Sequence, residues 1–123
     1  MPKLYGMHHL ELRPEVAPDA FERFVTDELS RLLHREGQRT YVLKGDRGER
    51  VGKYLFVIEY DTVERRDQDS PGSNQDSEEL KQWLAEHEAQ VGQLFAQLST
   101  YVLPDWDIGY HYTDYVEVSR EAG

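Results

Sequence analysis

The sequence predicts one α+β domain with elements in the order β-α-β-β-α-β. Three observations carry this. From Asp76 to Leu98, the residues Leu80, Trp83, Leu84, Val91, Leu94, Phe95 and Leu98 recur at the spacing of one helical face. Nearer the N-terminus, Phe21, Phe24, Val25, Leu29, Leu32 and Leu33 form a second such stripe. Around these lie segments with the two-residue alternation of strands. At 123 residues the chain has the length of one ordinary domain, and roughly two-thirds of its unfolded surface can be buried without a crosslink. Residues 1–123 therefore read as a single unit with no internal repeat.

Strand one is expected over Tyr5 to Leu12, with Gly6, His8, Leu10 and Leu12 on one face and Tyr5, Met7, His9 and Glu11 on the other. Arg13-Pro14 ends it, because proline donates no ladder hydrogen bond. Helix one is expected from Pro18, with Asp19 in its first turn, to about Arg35, with Gly37 as the stop. Strand two comes next, over Arg39 to Lys44, and the loop Gly45-Asp46-Arg47-Gly48-Glu49-Arg50 joins it to strand three, Lys53 to Asp61. Strand three is apolar on both faces: Leu55 and Val57 point one way, and Tyr54, Phe56, Ile58 and Tyr60 the other. A strand with one wet face would alternate more cleanly, so both sides of the sheet should be covered here. Residues 62–76 are expected as a flexible connection, with one helical turn at its start. The long second helix then begins, capped by Asp76 with Glu79 three residues on, and His87 is a polar residue inside its apolar stripe. Tyr101 to Leu103 suggests a short strand, Tyr110 to Val118 the last strand, and residues 119–123 a tail.

This order is the split βαβ, ferredoxin-like plan, a four-stranded antiparallel sheet with two helices on one face. The helices then leave the second apolar face of strand three uncovered. A second copy of the chain, packed sheet to sheet in a closed dimer, is the economical cover. On three segments the chain resembles the dimeric α+β barrel superfamily. These are Met7-His8-His9-Leu10-Glu11-Leu12, the Gly45-Asp46-Arg47-Gly48 hairpin before Tyr54-Leu55-Phe56-Val57, and the closing Tyr112-Thr113-Asp114-Tyr115-Val116-Glu117-Val118. That group includes antibiotic-biosynthesis-type monooxygenases, haem-degrading monooxygenases and many small proteins without an assigned role. The resemblance implies a homodimeric α/β barrel and, among its enzymatic members, oxygenation with haem or without a cofactor.

Composition narrows the partners. With 24 acidic and 14 basic residues the formal charge is -10, which disfavours a nucleic-acid partner because phosphates need a basic surface. Cysteine is absent, so disulfides, thiolate metal sites and a cysteine nucleophile are excluded, in keeping with a reducing, cytoplasmic setting. No signal peptide and no membrane span are expected.

The candidate pocket residues are His8, Trp83, His87, Trp106, Tyr110 and His111. On a stripe facing the sheet, His87 would be desolvated and so neutral, able to ligate iron or act as a base. In haem-degrading members the iron-binding histidine lies on the second helix, so the resemblance implies that role for His87 with Trp83 one turn earlier. Those enzymes use an asparagine on the first strand, where this chain has His8 and His9. The plainer reading is a hydrogen-bonded histidine at the edge of the core. His8 and His9 point to opposite faces, and with no H-x-H or H-x-x-x-H spacing no metal is expected. His111 stands in the tyrosine-rich end and could join either site, but the plainer reading is a solvent-facing surface residue. Trp106, Tyr110, Tyr112 and Tyr115 could line a pocket for a flat organic molecule, or pack a dimer interface. Gly45, Gly48 and Gly52 precede a strand, not a helix, so the context of a phosphate loop is missing. Arg47, Arg50 and Lys53 beside them are expected to pair with acids of a partner chain or stay solvated. No residue stands out as catalytic. The preferred reading is a homodimer of no assigned activity that binds a small organic molecule between sheet and helices, without a cofactor. The alternative is a monooxygenase-like enzyme, with haem or acting directly on an aromatic substrate.

Overall fold

A computed structural model describes residues 2–29, 35–72, 76–104 and 112–119. Its elements run β1 (Leu4–Leu10), α1 (Pro18–Phe24), a π turn (Val25–Leu29), β2 (Gln38–Lys44), β3 (Tyr54–Tyr60), α2 (Val63–Asp69), α3 (Glu78–Glu86), α4 (Glu88–Tyr101) and β4 (Tyr112–Val116). The class is α+β: four strands in one sheet of order β2-β3-β1-β4, every neighbouring pair antiparallel. Gly45 closes the β2–β3 hairpin. Its N–H donates to the Lys53 carbonyl at 2.8 Å, and any Cβ there would sit 1.9 Å from the Arg50 carbonyl oxygen, so only glycine fits.

The register sorts the sheet into two faces. His8 pairs with Phe56 and Tyr112, Leu10 with Tyr54, and Leu4 with Tyr60 and Val116, and these residues share one face. Leu10, Tyr54 and Phe56 there pack with Phe21, Phe24, Leu29, Leu94, Leu98 and Val102 in one core. Rings lock the layers: Phe21 meets Tyr54 edge-on at 4.8 Å, and Phe24 lies against Tyr101 at 5.1 Å. Across the opposite face run the rows Arg39-Glu59-Tyr5-Tyr115 and Tyr41-Val57-Met7-Thr113, then Leu43-Leu55-His9. None of these residues belongs to the core built with the helices. Val57 is nevertheless only 1% exposed. Tyr41, its cross-strand neighbour, sends its hydroxyl to Glu59 Oε1 at 3.1 Å, two residues along β3, so its ring crosses Val57. Leu43 (49% exposed) and Tyr115 (53%) have no such shelter.

The helices depart from the sequence expectation in four places. The first helix widens into the π turn, and its i→i+5 bonding lets the five-residue step from Phe24 to Leu29 stay on the buried side. The stretch expected as a flexible connection contains α2, capped by the Thr62 hydroxyl accepting from the Arg65 N–H at 3.0 Å. Asp69 near its end is buried and paired with Arg35 at 2.6 Å and Arg65 at 3.1 Å. The long second helix starts one residue late: Ser77, not Asp76, accepts from the Leu80 N–H at 3.0 Å. It also breaks at His87, whose backbone leaves the helical region at φ -113°, ψ 19°. The ring Nδ1 lies 2.8 Å from the Trp83 carbonyl, competing with the backbone N–H for the same oxygen. Tyr101–Leu103 makes one bridge, Val102 to Leu12, rather than a strand. Arg50 and Lys53 pair with Glu11 of their own chain, at 3.9 Å and 2.9 Å, where a partner chain's acids were expected. Among the described residues, no helix is long and apolar enough to cross a membrane.

Candidate functional site

Of the expected pocket residues, His8, Trp83 and His87 lie among the described residues, and ring contacts join Trp83 to His87 but neither of them to His8. His8 is the buried histidine of β1, 4% exposed, with Phe56 edge-on at 5.7 Å and Tyr112 at 4.6 Å. Among the described residues its Nδ1 has no hydrogen-bond partner. Burial pulls its pKa down to about 4, against the opposing pull of the Asp114 carboxylate, so the ring is neutral at pH 7. Tyr112 donates its hydroxyl to Asp114, which also accepts from Arg66 on α2, and burial followed by this bond raises the phenol above its ordinary range. These side chains, with Asp67 and Ser70, bound a polar cavity of about 220 Å³. The tyrosines expected to form one aromatic group are divided by strand alternation: Tyr112 lies beside His8, and Tyr115 on the opposite face.

Trp83 and His87 do come together, stacked at 4.4 Å with planes 23° apart, and Arg35 covers Trp83 at 5.1 Å. His87 stands half-buried at the helix break rather than inside a stripe facing the sheet. A carbonyl only accepts, so Nδ1 must carry the proton of the neutral ring, and Nε2 is its lone-pair acceptor. That nitrogen suits iron; the groove beside its stacking partner Trp83 does not suit haem. The groove beside Trp83, about 740 Å³, is lined by Glu36, Asp61, Glu64 and Glu79 along with Arg35 and Arg65. Both arginines are already paired with Asp69. An apolar macrocycle with two anionic propionates does not fit such a wall. Among the described residues, no group of three or more His, Asp or Glu can hold a metal ion. Trp106, Tyr110 and His111 lie outside the described residues.

A third place was not found from the sequence. Between the π turn and strands β2 and β3 lies a cavity of about 200 Å³ with apolar walls from Phe21, Val25 and Val42. Its polar rim is a triad. Glu22 Oε2 accepts from the Tyr54 hydroxyl at 2.5 Å and from Lys44 Nζ at 2.9 Å. These two bonds hold the Glu22 carboxyl below its usual range. Burial, and then the bond to Glu22, pushes the Tyr54 phenol up to about 12. Thr26 spends its hydroxyl on the Glu22 carbonyl at 2.9 Å. In the sequence, Glu22, Lys44 and Tyr54 lie on three different elements; the available signal was Glu22 interrupting the Phe21–Phe24 stripe.

The architecture defines a small α+β protein with one antiparallel sheet. No family model, no curated protein and no solved structure matches the chain.

Proposed function

We infer that the protein is a homodimer of the ferredoxin-like, dimeric α/β barrel kind that binds a small organic molecule between its sheet and its helices. The strand order β2-β3-β1-β4 with antiparallel neighbours supports that plan. The observation that carries the dimer is the sheet face turned away from the core: the row Tyr41-Val57-Met7-Thr113 crosses its middle, with Tyr5 and Tyr115 on one side of it and Leu43, Leu55 and His9 on the other. Charges of both signs stand at its two ends, Lys3, Arg39 and Glu59 at one and Glu11 and Lys53 at the other. An apolar centre with ends of mixed sign is self-complementary, as a twofold interface requires. Replacing Leu43 and Tyr115 by lysine should convert the dimer to a folded monomer on size exclusion; an unchanged elution volume would refute this face as the interface. Titration with haem should give no Soret shift, given the carboxylates beside Trp83. A shift lost in His87→Ala would restore the haem reading.

A further inference from the structure

Small-molecule binding between sheet and helices, as inferred above, is the footing for a narrower assignment of location and ligand class. We propose that the cavity over the π turn binds an uncharged single-ring alcohol or amine, its ring against Phe21, Val25 and Val42 and its donor on Glu22. Size sets the ring count. An apolar cavity of about 150 Å³ accommodates benzene, so about 200 Å³ holds one ring with a short polar substituent.

Charge sets the second property. Lys44 and Glu22 already neutralise one another at 2.9 Å. An anionic ligand would have to compete with Glu22 for Lys44 and Tyr54, and a cationic one with Lys44 for Glu22, each leaving a displaced charge. The hydrogen-bond inventory sets the third. Tyr54 and Lys44 both donate to Oε2, while Oε1 accepts nothing among the described residues. A carboxylate is acceptor only, so a ligand that engages Glu22 brings an O–H or N–H donor. The π turn is an independent pointer. Such widened turns recur at functional sites, and here Val25 and Thr26 of the turn are themselves part of the cavity lining.

Phenol, toluene and benzoate are single-ring probes that differ in donor and charge, and ¹H–¹⁵N NMR titration of the full chain reads each. Phenol should shift the amides of Glu22, Val25, Thr26 and Val42 saturably. It should bind about tenfold tighter than toluene, the worth of one hydrogen bond to a charged acceptor. Benzoate should bind more weakly than phenol. Val42→Trp should abolish binding of all three. Because that variant risks misfolding, Glu22→Leu, at a half-exposed position, is the second: it should bring phenol down to the level of toluene in the same variant. Benzoate binding as tightly as phenol, or no saturable shift with any probe, would overturn the proposal. Phenol shifts centred on Trp83 would overturn this location while leaving small-molecule binding standing. The dimer is judged separately, by its mass.

Discussion

Two adjacent histidines on β1 end in different surroundings. His9 faces the open side of the sheet, while His8 is buried against Phe56 and Tyr112. The sequence showed that one of the two must face the helices, since alternation is strict; it did not show which, because both faces of β3 are apolar. The consequence is a pH dependence. With a folded pKa of about 4 and an ordinary value of 6.5, His8 takes up its proton more readily in the unfolded chain. Its contribution to stability is therefore complete above pH 6.5 and is lost as pH falls from 6.5 to 4. The loss is on the order of 3 kcal/mol. Urea unfolding at pH 7 and pH 4.5 should show this decline in the wild type and a flatter one in His8→Phe, which keeps a ring in the gap and removes the unpartnered Nδ1. An equal decline in both proteins would place the effect elsewhere.

At the scale of elements, the strands were legible to within a residue or two, and the helices less so. Apolar periodicity reads through His87 as though the helix were continuous, because the break comes from a ring hydrogen bond to the Trp83 carbonyl that spacing does not record. Asp76 and Ser77 are both good caps, and only geometry separates them. Ser77→Ala should cost about 1 kcal/mol and Asp76→Ala much less, measured by thermal unfolding; the reverse order would move the cap back to Asp76. Helix α2 was legible only as one turn, for another reason. Its residues Val63–Asp69 are nearly all polar, and it is tied down by charge: Arg35 and Arg65 to Asp69, and Arg66 to Asp114. Asp69→Ala would strand two largely buried guanidinium groups, for a loss on the order of 3 kcal/mol, read by urea denaturation. A loss below about 1 kcal/mol, the level of exposed pairs, would show that α2 contributes little to the fold.

For the molecule as a whole, the α+β class and the antiparallel sheet were readable from element order and hydrophobic period, because both are properties of segments. The cavity over the π turn was not, because it arises where Glu22, Lys44 and Tyr54 converge from three elements. Strand β3 was read as apolar on both faces and in need of cover. The structure adds that Tyr41 shelters Val57 within the chain, while Leu43 and Tyr115 remain open. In the proposed dimer a second copy covers these. Sedimentation equilibrium across a dilution series from the micromolar to the nanomolar range tests it most directly. A mass near twice the 14.4 kDa of one chain is expected at micromolar concentration. A single-chain mass throughout, with the protein fully folded, would contradict it.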